Sequence, residues 1–314
     1  MKAHKTLLAG IVAGLSATLA LGLVGCSKPQ APATPGPVGA APTAPTSGKS
    51  IQIKGSDTMV NLGQAWAEAF GAKTGAQVMV SGGGSGTGFA ALLSGTCDVA
   101  EASRMIEPQE TADAKAKGIN PKEYKVALDG LAVIVNPKNP VSKLTIDQLA
   151  DIFTGRVKNW KEVGGPDAAI VILSRDVNSG THVYFKEHVL RKGNAKGTEE
   201  FAETALPQSS SQGISDEVAQ NDKAIGYVGM GYLSPKVKSI EVAKTAAGPY
   251  VGATAAHVLD GTYPISRPLL FYTNGEPQGL VKEYMDFVLS PEGQKIVEEQ
   301  EFVPVGTSAT KPSA

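Results

Sequence analysis

The stretch VSGGGSGTGFAALLSG, Val80 to Gly95, leaves an apolar run, crosses a dense glycine turn carrying hydroxyls, and enters a segment rich in alanine and leucine. Strand, glycine turn and helix in that order form the repeating unit of α/β folds with largely parallel sheets. The opening turn of such a helix leaves backbone N–H groups unpaired and carries the positive end of the helix dipole. Glycine lets that backbone approach a ligand closely, so a small oxyanion suits the arrangement. Taken alone, GGGSGTG also reads as a flexible loop between strand and helix. It is no Walker loop, because Phe89-Ala90 stands where Lys-Ser/Thr is required. It is no dinucleotide fingerprint or nucleophile elbow either, since Thr87 replaces the closing glycine of each.

Upstream, Ile51 and Ile53 alternate with polar residues and predict a strand ending at Gly55. The segment after it places Leu62, Ala65, Trp66, Ala69 and Phe70 at helical spacing. Downstream, Leu131 to Val135 reads as a nearly continuous apolar strand that opens a second region. Thr145 with Gln148 forms a capping box ahead of Ile146, Leu149, Ile152 and Phe153. Ile170 to Leu173, then a polar turn and a helix, repeat the opening theme. AIGYVGMGYL is another glycine-punctuated strand, and LVKEYMDFVLSPEGQKIVEEQ predicts one closing helix. No internal repeat stands out.

Lys+Arg 29 against Asp+Glu 30 leaves a formal charge of −1, so nothing marks bulk attraction to nucleic acid. The N-terminus reads as an export signal: Lys2 and Lys5, an apolar run from Leu7 to Val24, then small residues and a cysteine. Leu23-Val24-Gly25-Cys26 resembles a bacterial lipobox, making Cys26 the lipidated N-terminus of the mature chain; a plain membrane anchor is the alternative. Residues 27–50, rich in proline, alanine and threonine, cannot bury a core and predict a disordered tether. Cys97 is then left alone, and it reads as a small buried hydrophobe.

Three segments share the strand-to-helix turn design: GSDTM (Gly55 to Met59), GGGSGTG (Gly82 to Gly88) and SRDVNSGT (Ser174 to Thr181). The third adds Arg175, one of only five arginines. His182 and His188 lie six apart, which gives no shared metal face on a helix; they are expected to be solvated or capping. Ser179 with His182 marks no third member of a triad, so catalysis is not expected. Trp66 and Trp160 read as packing residues.

Together with DVAEASRMI, LTIDQLADIFTGRVKNW, AIGYVGMGY and RPLLFYTNG, in this order, the three turns resemble the phosphate-binding proteins of bacterial ABC-type phosphate importers, from about Ile51 to the C-terminus. The resemblance implies a two-lobed α/β periplasmic-binding-protein fold of type II that closes over one dehydrated phosphate. Carried over by position, the contacts are Ser56, Asp57, Thr58 and Met59 in the first turn and Ser85 and Gly86 in the second. Ser103 and Arg104 follow the next strand, and Arg175, Ser179, Gly180 and Thr181 belong to the other lobe. The implied partners are inorganic phosphate, a permease with its ATPase, and the membrane through Cys26; a monomer without metal or cofactor is expected. Lobe 1 is expected to span 51–128 plus 243–314 and lobe 2 129–242, with residues 1–26 as signal. The hinge strands would lie near GLAVIV and after GYVGMGYL.

One position departs from the family. Some members carry aspartate where Arg104 stands, and that carboxylate accepts the phosphate proton and so rejects sulfate. Asp57 could supply the acceptor instead, with Asp176 as a weaker candidate; a helix cap is the plainer role for Asp57. Arg104 could add positive charge to the ligand, or pair with Glu101 or Glu107 at the surface. A sulfate-like oxyanion, or a surface phosphate sensor without transport, therefore stays open as an alternative.

Overall fold

Residues 50–306 are described by the structure, a computed structural model. The leader with Cys26 and nearly all of the tether lie outside the described residues. The first half runs β1 (Ser50–Gly55), a 3-10 turn (Asp57–Met59), α1 (Val60–Thr74), β2 (Gln77–Ser81), α2 (Ser85–Leu93), β3 (Val99–Ala102), α3 (Pro108–Ala116) and β4 (Pro121–Val135). Then come β5 (Lys143–Thr145), α4 (Ile146–Phe153), β6 (Val171–Arg175), α5 (Gly180–Phe185), β7 (Leu206–Gln208), α6 (Ser211–Gln220), β8 (Ala224–Gly229), β9 (Lys238–Ser239) and β10 (Glu241–Ala243). The chain closes with α7 (Ala255–Leu259), β11 (Ser266–Asn274), α8 (Gly279–Val288), α9 (Pro291–Glu299) and β12 (Val303–Pro304).

One curled sheet carries the order β2-β1-β3-β11-β4-β8-β6-β7. Strand β1 is parallel to β2 and β3, and β6 is parallel to β7 and β8, as the strand–helix alternation predicts. The two parallel sets are joined by β4. Its first part pairs antiparallel with β11, and Leu131–Val135 pairs antiparallel with β8. Each set therefore presents the carboxyl ends of its strands, and the helix openings that follow them, toward the junction.

The apolar run Leu131 to Val135 is only the buried end of β4; the strand reaches back to Pro121 because its half-buried start pairs along β11. The closing helix is two helices. Pro291 has no N–H to continue α8, and Ser290 instead caps α9 by accepting from Gly293 N at 3.2 Å. Helix α2 starts at Ser85 itself, inside the glycine turn. Trp66 and Trp160 are fully buried.

The capping box at Thr145 forms as read: Gln148 N donates to Thr145 Oγ1 at 3.1 Å and Thr145 N donates to Gln148 Oε1 at 2.9 Å. Thr145→Ala is expected to lower stability by about 1 kcal/mol, read as an earlier denaturant midpoint with unchanged slope.

Candidate anion-binding site

The sequence brings the first turn to the junction by a backbone device. Gly55 has φ +145°, and a Cβ there would lie 2.0 Å from Glu101 O, so only glycine lets the end of β1 lie this close to its partner β3. Ser56 N then donates to Glu101 O at 2.9 Å, which fixes the turn. Its side chain donates to Ser103 Oγ at 2.9 Å. Ser103 N donates to Ser85 Oγ at 3.0 Å, which ties the end of β3 to the mouth of α2.

Across the junction, Thr58 Oγ1 and Thr181 Oγ1 share a hydrogen bond of 2.8 Å. Gly86 N donates to Asn178 O at 3.1 Å. Gly180 lies directly over the first half: a Cβ on it would be 2.3 Å from Ser85 Oγ and 2.7 Å from Ser103 Oγ. The hydroxyls of Ser56, Thr58, Ser85, Ser103, Ser179 and Thr181 are thus buried together, each residue at most 3% exposed. Six neutral hydroxyls, contributed by two helix openings and the end of β3 on one side and one helix opening on the other, can each donate to an oxyanion without bringing a charge of their own.

Two buried arginines flank them. Arg175 Nη2 donates to Asp57 Oδ2 at 2.7 Å across the junction, Nη1 to Ser211 Oγ at 2.9 Å and Nε to Gln208 O at 3.1 Å. Burial pulls its basicity down, and the Asp57 charge works against that. Arg267 is held by Asp129 Oδ2 through Nε at 2.9 Å and Nη2 at 2.8 Å. It also donates from Nη2 to Thr58 Oγ1 at 3.3 Å and from Nη1 to Ser103 O at 3.0 Å.

A family model described as a PBP superfamily domain matches residues 39–292. The phosphate-binding protein PstS of Bacillus subtilis (strain 168) is 35% identical over 261 residues, covering 82% of this chain and 81% of that protein. PstS of Pseudomonas aeruginosa (strain PAO1) is 31% identical over 274 residues, covering 82% of this chain and 83% of that protein. Among solved structures, a Clostridium perfringens phosphate ABC transporter substrate-binding protein with bound phosphate superposes with TM-score 0.73. It is 35% identical and covers 82% of this chain and 100% of that chain. The chain belongs to the PBP superfamily, in the PstS family. Its fold is the two-lobed α/β architecture of that family, and the hydroxyl cluster lies where the two halves meet.

Against that family pattern the residues read from the sequence sort into two groups. Ser56, Thr58, Ser85, Ser103, Gly180 and Thr181 all reach the cluster, and Ser179 is buried beside Gly180 as the cap of α5. Met59, by contrast, buries its side chain in the core and spends its N–H on Ser56 O at 3.0 Å. The Gly86 N–H, read as open to a ligand, is bonded to Asn178 O.

Asp57 is not the cap of its turn: its oxygens accept from Arg175 and, at 3.1 Å, from Gly83 N. Arg104 is turned away from the cluster. Its fork takes Glu110 through two hydrogen bonds of 2.8 and 2.7 Å, with Glu107 at 3.7 Å and its guanidinium 4.9 Å over the Phe89 ring. The ion-pair reading is therefore nearer, but the arginine is buried rather than at the surface, and Glu110 takes the place of Glu101 or Glu107 as its main partner. Burial lowers the basicity of Arg104, but Glu110, Glu107 and Glu187 outweigh it and raise it. Glu187 belongs to the opposite half, so Arg104 faces negative charge across the junction. Arg104 and Arg267 both line a cavity of about 380 Å³ between the halves, together with Tyr184 and Glu187.

His182 is buried rather than solvated. Its Nδ1 lies 3.3 Å from Ser174 Oγ, while Ser179 Oγ accepts from His182 N at 3.4 Å, so the ring does not address Ser179. Burial lowers its pKa to about 4 and keeps it neutral. His188 is exposed and stacks on Tyr184. Cys97 is buried, and burial pushes its thiol up to about 12.

Asp129 and Arg267 were missed. The sequence showed each at the edge of an apolar strand, within DGLAVIV and RPLLFYTNG, where a charged residue is itself the anomaly that could have singled them out.

Proposed function

We propose that the protein captures inorganic phosphate outside the cytoplasm and delivers it to an ABC permease with its ATPase. Cys26 would tether it to the membrane by lipid. It is a binding protein and not an enzyme. Lobe 1 comprises about 51–128 and 243–314, lobe 2 about 129–242, and β4 with the chain after β8 forms the hinge. The observation that carries this reading is the set of six buried hydroxyls gathered from both halves, with Gly180 against Ser85. Phosphate enters between the halves, and the hydroxyls of Ser56, Thr58, Ser85, Ser103 and Thr181, which bond one another here, turn with that of Ser179 onto its oxygens. Hinge closure then replaces the ion's water shell. The cavity bounded by Arg104 and Arg267 is the route of entry, and Arg104 steers the anion without contacting it in the closed site. Hydrogen bonds to a charged group are worth about 1.5–3 kcal/mol each, so several of them, less desolvation, are on the scale of the roughly −8 kcal/mol of micromolar binding.

Asp57 is the acceptor for the phosphate proton. A carboxylate has about four lone-pair sites, and Arg175 and Gly83 engage two of them. The test is calorimetry of phosphate and of sulfate on wild type and Asp57→Asn. Loosening the Arg175 bridge weakens both anions alike, so the ratio of the two constants isolates the acceptor. Wild type is expected to bind phosphate unmoved by excess sulfate, and Asp57→Asn to lose roughly 10- to 150-fold of that preference. An unchanged ratio sinks the role of Asp57; no phosphate binding by wild type sinks the function.

A further inference from the structure

Behind the hydroxyl cluster lies a second polar group that none of the site chemistry uses. Glu101 sits in β3 with its carbonyl facing the first turn, where it accepts from Ser56 N. Its side chain points to the opposite face, into the layer between the sheet and helices α1 and α8. Oε1 would be 2.4 Å from a Cβ on Gly63 of α1. Phe271 is its register partner on β11, and that ring packs edge-on against Trp66 at 5.6 Å and stacks on Tyr284 of α8 at 6.3 Å. Glu101 is 0% exposed and neither carboxyl oxygen has a hydrogen-bond partner. Tyr284, also 0% exposed, has an unpartnered hydroxyl. The Trp66 indole cannot help, since it donates to Gly293 O at 2.8 Å.

We propose that Glu101 is a proton-binding site of the folded protein, its carboxyl held as the neutral acid at neutral pH in a sealed aromatic chamber behind the anion-binding turn. The physical ground is the cost of the alternative. A buried carboxylate without a cation or donor is heavily penalised, whereas the acid form carries no net charge. No cation faces it. The titratable groups around it are Asp57 beyond the 3-10 turn, Tyr284 on α8, and Tyr232 from the other half. All three either bear negative charge or are neutral phenols. Burial first, and then the Asp57 charge, move the Glu101 pKa well above its ordinary 4.5. The bound proton also removes a negative charge from directly behind the turn that faces an anion. The proposal does not depend on which anion the cleft takes.

A carboxyl raised in the folded state leaves stability intact below its ordinary value of 4.5 and costs stability progressively as pH rises above it. Glutamine keeps the shape and the neutrality but has no proton to lose. The experiment is denaturant unfolding of the full chain, wild type against Glu101→Gln, from about pH 5 to about pH 8. The folding equilibrium of Glu101→Gln is expected to gain on wild type roughly tenfold per pH unit, the signature of one proton held by the native state. A difference that stays constant with pH overturns the proposal. Should Glu101→Gln fail to fold, infrared spectra of wild type labelled with ¹³C-glutamate decide it. A protonated glutamic acid carbonyl band surviving at about pH 8 is expected, and its absence overturns the proposal.

Discussion

Gly180→Ala is expected to weaken phosphate binding by roughly 5- to 150-fold while leaving the fold nearly as stable as wild type. The added methyl would lie 2.3 Å from Ser85 Oγ and 2.7 Å from Ser103 Oγ, both on the opposite half. Neither hydroxyl can retreat freely, because Ser103 N donates to Ser85 Oγ and Ser56 donates to Ser103 Oγ. Forcing an extra carbon into such a packed contact costs about 1–3 kcal/mol, and here that cost falls on closure alone. Within its own helix alanine is the better residue, so unfolding measurements should show little change. Gly86→Ala supplies the control. It also lies in a helix opening at the junction, but its nearest contact would be an ordinary 3.5 Å. Calorimetry should therefore show Gly180→Ala losing affinity and Gly86→Ala nearly retaining it. Equal behaviour of the two would mean that Gly180 does not sit against Ser85 in the closed protein.

The largest effect on stability is expected from Asp129→Ala. The Asp129–Arg267 pair is fully buried, and the carboxylate also accepts from Met230 N at 3.0 Å. Removing it strands the Arg267 charge and an amide inside the protein, which costs about 3–5 kcal/mol. A matched second change, Arg267→Met in the Asp129→Ala background, should recover much of that loss, because a buried ion pair replaced by packed apolar groups is close to neutral. Phosphate affinity should not recover with it, since the guanidinium that supports Thr58 Oγ1 is gone. Denaturant midpoints separate the two readings. If Asp129→Ala unfolds with wild type, the pair is not what holds this junction.

The contrast between these positions also shows what the sequence disclosed. Strand, glycine turn and helix could be read at Val80 to Gly95 because turn chemistry is local, and the same holds for the Thr145 capping box. The hydroxyls at Ser56, Thr58, Ser85, Ser179 and Thr181 were found for that reason. The need for glycine at 180 was visible only as a motif, because the group it avoids is 95 positions away in the chain. Asp129 and Arg267 are 138 apart, and each stands at the edge of an apolar run without any periodic signal to connect them. Arg104 misled through proximity to Ser103. Neighbouring side chains leave a strand end in different directions, and Glu110, opening the next helix, claimed the guanidinium. Pro291 inside the closing helical pattern was a stop signal that the apolar periodicity on either side obscured.

A crystal structure of the protein with phosphate tests the site most directly. The expected result is one phosphate enclosed between the halves, within hydrogen-bonding distance of Thr58, Ser85, Ser103, Ser179 and Thr181, with Arg104 still on Glu110. Phosphate bound instead in the cavity beside Tyr184 and Glu187, with those hydroxyls still bonded only within the protein, would contradict it.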